Sequence, residues 1–247
     1  MSLHSADAGR LLEALRGACT FKGETLPEPL PSEPMGLFTM WLGDAAAAKT
    51  QPNPNAMTLA TVDGHGRPAS RVVLARGVDP ARGFINFYTN RQGAKGVQLG
   101  TAPYAALGFH WDHLERQVRI EGPVTPCPEA ESDAYFASRP VLSRVAAWAS
   151  DQSRPLASRT QLADQYRRAL ERFGLQDQEP PRGTAVNIPR PPHWGGYRVW
   201  AERVELWLGH SNRLHDRAEW TRTLTPATID GVPGFEGGQW EAQRLQP

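Results

Sequence analysis

The run Ala56-Met-Thr-Leu-Ala-Thr-Val62, Asp63-Gly-His-Gly66 and, a little further on, Arg71-Val-Val-Leu-Ala-Arg76 settles the architecture. Two stretches rich in apolar and β-branched residues flank a tetrad made of turn-forming residues, which reads as a β-hairpin. Moving outward, Phe84–Thr89 is aromatic and β-branched, and Tyr104–Trp111 forms another strand. In Arg116–Glu121, Val118 and Ile120 point one way while Gln117, Arg119 and Glu121 point the other. Five short strands between positions 56 and 121, separated by turn signals, predict an antiparallel barrel rather than a doubly wound sheet.

Helices surround this core. A helix starting after Ser32 is expected through Met35–Lys49, with Leu37, Phe38, Trp41 and Leu42 as its apolar face. Pro128–Ala137 has proline at its start and acids in its first turns, as a helix N-terminus favours. Ser158-Arg-Thr-Gln161 reads as a capping box, followed by the stripe Leu162, Tyr166, Ala169, Leu170 and Phe173 and a stop at Gly174. The proline-rich Gln178–Pro192 is a poor candidate for regular structure. Tyr197–Leu208 returns to strand, and Trp220 to Pro247 reads as a further hairpin with a glycine-rich loop at Asp230–Gly238. At the other end, residues 1–30 are expected to be loosely ordered, with a possible stripe of Leu11, Leu12 and Leu15 and an extended Leu26–Pro31. Residues 31–247 are read as a single domain with mainly β, α+β character.

The 247 residues carry 27 Lys+Arg against 26 Asp+Glu, which disfavours a nucleic-acid binder that relies on bulk positive charge. Cys19 and Cys127 are too few and too far apart for a disulfide framework or a cysteine-rich zinc site. With neither a signal peptide nor an apolar run long enough for a membrane span, the chain reads as a soluble cytoplasmic protein. His110 and His113 face opposite ways in a strand and have no completing ligands, so no metal site is expected. Gly93-Ala-Lys-Gly96 lacks P-loop spacing.

Some positions stand out by pattern alone. In Arg203–Leu208, Val204, Leu206 and Leu208 share a face, leaving Trp207 on the opposite, polar face beside Glu205 and Arg203. Such an aromatic is either an ordinary surface residue or a wall for a planar ligand or partner subunit. Next comes Asn212-Arg-Leu-His-Asp-Arg217, dense in cations and hydrogen-bonding groups, which is either a solvated turn or part of a site. Arg71 and Arg76 bracket Val72–Ala75 and point to opposite faces of a regular strand, unless a bulge brings them together.

An ordered series of motifs resembles the pyridoxamine/pyridoxine 5′-phosphate oxidase family from about Pro31 to the terminal Arg244-Leu-Gln-Pro247. The series is Asn55-Ala-Met57, Ala60-Thr-Val-Asp63, Arg71-Val-Val-Leu74, Phe87-Tyr-Thr-Asn90, Leu114-Glu-Arg-Gln117, Tyr135-Phe, Ser138-Arg-Pro140, Gln152-Ser153, Trp194-Gly-Gly196 and Arg213-Leu-His-Asp-Arg217. The resemblance implies an FMN-binding split β-barrel, a homodimer with the flavin at the subunit interface, and the pyridoxal 5′-phosphate synthase reaction. In that reaction a phosphorylated B6 vitamer is oxidised and O2 is reduced to hydrogen peroxide. By the same resemblance, Arg71, Val72, Val73, Leu74, Arg76, Tyr88, Thr89, Lys95, Gln117, Gln152, Ser153, Trp207 and Arg217 contact FMN. Arg76, Tyr135, Arg139 and Ser143 hold the substrate phosphate, while Arg213 and His215 lie over the pyridine ring as the catalytic pair.

The chain departs from the family pattern in four places. Arg76 stands where lysine is usual, and Asn53 where an acid is usual. Ala94 stands where an arginine usually helps to bind the flavin phosphate. An uncompensated loss there costs about 1.5–3 kcal/mol, or roughly 10- to 150-fold in affinity. No counterpart of an N-terminal Arg-x-x-Tyr element is found around Arg16–Phe21. Two other readings stay open: a related flavin oxidase acting on a substrate such as a dihydrophenazine, and a non-catalytic carrier of FMN or pyridoxal phosphate.

Overall fold

A computed structural model describes residues 23–181, 184 and 186–247. The Leu11, Leu12 and Leu15 stripe, Arg16–Phe21 and Cys19 lie outside the described residues. In chain order the elements are α1 (Met35–Ala48), β1 (Ala56–Val62), β2 (Pro68–Leu74), β3 (Gly77–Asp79), β4 (Phe84–Asn90), α2 (Ala94–Thr101), β5 (Tyr104–Trp111) and β6 (Arg116–Pro126). Then follow α3 (Glu129–Ser138), α4 (Val141–Ala149), α5 (Arg159–Arg172), β7 (Trp194–Trp200) and β8 (Arg203–Leu208). The chain ends with β9 (Asp216–Thr221), β10 (Leu224–Ile229), β11 (Val232–Gly237) and β12 (Glu241–Leu245).

The hairpin at 56–74 forms as its sequence suggests, with Val62 opposite Pro68 and Ala56 opposite Leu74. Asp63 closes the turn, its Oδ1 accepting from His65 and Arg67 N–H at 2.8 and 3.0 Å. All recorded strand pairs are antiparallel, and the main row runs β12-β9-β8-β6-β5-β1-β2. A branch leaves this row at β6, which also pairs with β7, and β7 in turn with β4. Residues Arg116–Glu121 of β6 pair with β8, whereas Val124–Pro126 pair with β7. Between the two lies Gly122, where a Cβ would stand 1.8 Å from the carbonyl oxygen of Trp200, so a side chain would block the crossing. Sharing β6 in this way curls the sheet into a half-barrel.

The stretch expected as one strand over Tyr197–Leu208 is therefore two. β7 ends at Trp200, and Ala201 and Glu202 turn the chain by donating to Gly83 and Glu121 carbonyls at 2.8 and 2.9 Å. Likewise the C-terminal hairpin is nested. β9 pairs with β12, and β10 with β11 form a second hairpin inside the loop, where glycine-rich residues make a strand instead.

Inside the curl lie Phe38, Leu59, Ile85, Phe87, Phe109, Trp111, Val118, Val204, Leu206 and Trp220, each 0% exposed. Burial of the apolar face thus fixes register along β5, β6 and β8, because a one-residue slip would expose the whole set. Helix α1 contributes Phe38 and Trp41 as expected, but its first turn is capped by Glu33 and not by Ser32. The Glu33 carboxylate accepts from Met35 and Gly36 N–H at 2.7 and 3.0 Å. A second apolar cluster of Phe136, Val141, Val145, Ala169, Leu170, Ile188 and Trp194 binds α3, α4 and α5 together. In α5 the Ser158 cap forms, accepting from Gln161 N–H at 3.0 Å, while the Gln161 amide reaches back to Ala157 N–H at 2.9 Å. No helix among the described residues is long and apolar enough to cross a membrane.

Candidate active site

The edge strand β2, the end of β4, the start of α2 and the helices α3 and α4 surround a cavity of about 660 Å³. Twelve of the residues expected at the site line it: Arg71, Val72, Val73, Leu74, Arg76, Tyr88, Thr89, Lys95, Tyr135, Arg139, Ser143 and Gln152. Arg71 and Arg76 reach the same cavity because β2 ends at Leu74, two residues short of the expected strand end. Arg76 then lies outside the strand alternation, its N–H donating to the Asn86 carbonyl at 2.8 Å.

Helix α4 is the element that sequence reading missed. Its N-terminus is capped from far along the chain, by the Glu179 carboxylate accepting from Val141 and Leu142 N–H at 2.5 and 3.1 Å. No local signal announces such a cap. Once formed, the helix turns Ser143, Ala146, Ala147 and Ser150 to the cavity and buries Val141 and Val145 in the apolar cluster behind.

The lining is cationic. Arg71, Arg76, Lys95 and Arg139 all face it, and among the described residues no carboxylate does. Among the described residues, none of these four cations forms a salt bridge. Lys95 Nζ instead donates to Gln152 Oε1 at 2.7 Å and Thr89 Oγ1 at 3.2 Å. Burial, then the nearby Arg71 charge, hold the Lys95 amine below the ordinary lysine value. Arg139 is also depressed, chiefly by burial, and its buried Nη1 has no hydrogen-bond partner among the described residues. Such an orphaned cationic donor is costly unless an anion completes it.

Beside the cations stands an aromatic wall. Tyr88 and Tyr135 stack at 4.0 Å and 16°, with Trp194 nearly parallel to both. Arg139 lies 4.9 Å over Trp194, and Arg76 lies 5.9 Å over Tyr135. Glu131 steadies this wall, accepting from Tyr88 Oη at 2.9 Å and from Asn86 and Arg198. Burial and Glu131 push the Tyr88 phenol far up, so it stays a neutral donor. Sequence alone gives no role to Trp194, Glu131 or Gln98; only the packed structure brings them to the site.

The remaining expected residues lie elsewhere on the chain. Ser153 lines an adjoining pocket with Ala94 and Arg154, and Gln152 is common to both. Gln117, Trp207 and Arg217 form one registered row across β6, β8 and β9. β5 and β1 separate β6 from β2, so at ~4.8 Å per strand the row is roughly 14 Å or more along the sheet from the cavity wall. Trp207 packs on the His215 ring at 4.6 Å, which accounts for an aromatic on the polar face. His215 Nδ1 accepts from His210 N–H at 3.1 Å, and burial followed by the Arg213 charge keeps its pKa low. The lowered pKa favours the uncharged imidazole, and with Nδ1 accepting, that form carries its proton on Nε2. Arg217 pairs with the buried Glu205 at 2.8 Å. Arg213 is exposed, and it and Asn212 adopt left-handed φ values of 65° and 57°. Two successive non-glycine residues in that region carry strain of order 1–3 kcal/mol each, as functional turns often do.

Residues 44–172 match the family model described as pyridoxamine 5′-phosphate oxidase, and residues 194–247 match the pyridoxine 5′-phosphate oxidase C-terminal dimerisation region. A pyridoxine/pyridoxamine 5′-phosphate oxidase of Paraburkholderia phytofirmans is 46% identical, covering 87% of this chain and 89% of its own. One from Gloeothece citriformis is 45% identical, covering 94% and 97%. Among solved structures, PhzG of Burkholderia lata in complex with tetrahydrophenazine-1-carboxylic acid superimposes with a TM-score of 0.72 at 31% identity, over 88% of this chain and 94% of that one. A pyridoxamine 5′-phosphate oxidase-related, FMN-binding protein of Nostoc punctiforme shares the fold, with a TM-score of 0.59 at 17% identity over 86% of this chain and 96% of that one.

Proposed function

Since the chain belongs to the pyridoxamine 5′-phosphate oxidase family, we propose that it is the FMN-dependent oxidase converting pyridoxine and pyridoxamine 5′-phosphates to pyridoxal 5′-phosphate. The observation that carries this reading is the cationic cavity, lined by no carboxylate among the described residues, with the buried Arg139 guanidinium, Arg71 and Lys95 facing it. Two phosphate-bearing molecules, the flavin and the vitamer, would satisfy its cations. The donor set fits FMN: Arg71 and Lys95 supply charge for the phosphate, and Val72 to Leu74 offer backbone along β2.

The working enzyme is a homodimer on this reading, and residues 194–247 match a dimerisation region. Association lets the row Gln117, Trp207 and Arg217, with Arg213 and His215, complete the cavity of a partner protomer. Gln117 can both donate to and accept from a flavin edge. When bound, FMN would supply the two-electron acceptor for a hydride from C4′ of the vitamer, with O2 as terminal oxidant giving hydrogen peroxide; the alcohol substrate would also lose its hydroxyl proton, and the amine would take up water and release ammonia. The protein places and polarises. Tyr135, Arg139 and Ser143 grip the substrate phosphate, Arg76 adds charge, and Arg213 and the neutral His215 hold the pyridine ring.

Purified protein should be yellow and release peroxide in air when given either vitamer. A preparation that binds FMN but turns over neither would favour the carrier reading. The likeness to PhzG keeps a reduced phenazine as a competing substrate, and turnover of that compound alone would favour it.

A pH effect follows from Lys95. The FMN phosphate is a dianion above its second ionisation near pH 6. Lys95 is charged only below its depressed pKa, so affinity persists below that point and is lost as pH rises through it, before the ordinary lysine value of 10.5. Titrating apoprotein with FMN and with riboflavin across alkaline pH checks this. FMN should weaken selectively, and parallel loss of both would contradict the assignment.

A further inference from the structure

We infer that Gln98 is a positioning residue that aims Arg71 at the flavin phosphate while leaving the arginine charge uncancelled. The inference rests on the reading of this cavity as an FMN site.

Arg71 is half-buried on β2, yet among the described residues every group its guanidinium donates to is neutral. Its Nη1 donates to Thr61 Oγ1 at 2.5 Å and to the Leu59 carbonyl at 3.2 Å. Its Nη2 donates to Gln98 Oε1 at 2.9 Å, and the Thr61 hydroxyl donates to the same oxygen at 2.6 Å. A guanidinium can only donate, so the amide of Gln98 must present its oxygen. Thr61 is 2% exposed, and Gln98 is the acceptor of its buried hydroxyl. The residue thus ties α2 to the β1–β2 hairpin through one oxygen.

Lys95 repeats the pattern with Gln152 and Thr89. A carboxylate at either position could make the same hydrogen bonds more strongly, but it would cancel the positive potential that an anion needs. Burial of Arg71 makes this matter, because water screens a half-buried pair poorly.

The test uses Gln98→Glu, which keeps shape and acceptors and changes only charge. FMN and riboflavin affinities of the apoproteins are measured by flavin fluorescence, together with the thermal midpoint. The Glu variant should keep or raise the midpoint, bind FMN about ten-fold or more weakly, and bind riboflavin like wild type. Gln98→Met, which removes the acceptor without adding charge, should lower the midpoint and weaken FMN less than Glu does. A merely structural residue would move stability and both flavins together. The inference is overturned if Gln98→Glu retains the wild-type preference for FMN over riboflavin, or, should that variant not fold, if Gln98→Met retains it. Wild-type protein that binds both flavins equally would instead refute the FMN reading itself.

Discussion

Arg139→Ala is expected to raise KM for pyridoxine 5′-phosphate by roughly 10- to 150-fold, the worth of one charge-assisted contact of about 1.5–3 kcal/mol. The turnover number should stay within a few-fold of wild type. Arg139 sits between α3 and α4, where Pro140 starts the next helix, and its guanidinium lies against Trp194 and Phe136. Those contacts fix its fork, while Nη1 waits without a partner. An interaction made equally in ground and transition states changes KM and leaves kcat alone. Arg139→Lys should recover only part of the loss, since a point charge replaces a planar fork. Steady-state kinetics with both vitamers decide the matter; a fall confined to kcat would show that Arg139 does not serve as an anchor.

Arg213→Ala is expected to act in the opposite way, lowering kcat by about 100-fold with a much smaller change in KM. Its left-handed backbone, following a left-handed Asn212, holds the side chain out on an exposed turn beside the His215–Trp207 pair. Strain maintained at that place makes sense if the guanidinium must orient the ring whose C4′ carbon loses the hydride. FMN affinity should be unchanged. An Arg213→Ala enzyme with wild-type kcat would remove this residue from the chemistry.

These two residues also mark what the sequence could and could not tell. The hairpin at 56–74 and the alternation of Val118 and Ile120 are local patterns, and both appear in the fold. By contrast α4 depends on Glu179, distant in sequence, and the break between β7 and β8 depends on contacts with Gly83 and Glu121. Such long-range partners leave no periodic trace. For the site, the family resemblance names Tyr88, Lys95, Tyr135, Arg139, Ser143 and Gln152, and the fold gathers these six around one cavity. Nothing in the pattern separated that cavity from the row Gln117, Trp207 and Arg217, because strand order is a property of the sheet. Nor does it show that Arg71 donates to the neutral Thr61 and Gln98 side chains, which depends on the approach of α2 to β1.

On this proposal one cavity brings a phosphorylated pyridine against a bound flavin. Mixing the FMN-loaded protein with pyridoxine 5′-phosphate in the absence of oxygen tests it directly, with the visible absorbance of oxidised flavin as the readout. The colour should bleach, pyridoxal 5′-phosphate should form in equal amount, and air should restore the colour. Flavin that stays oxidised with both phosphorylated vitamers would contradict the proposal.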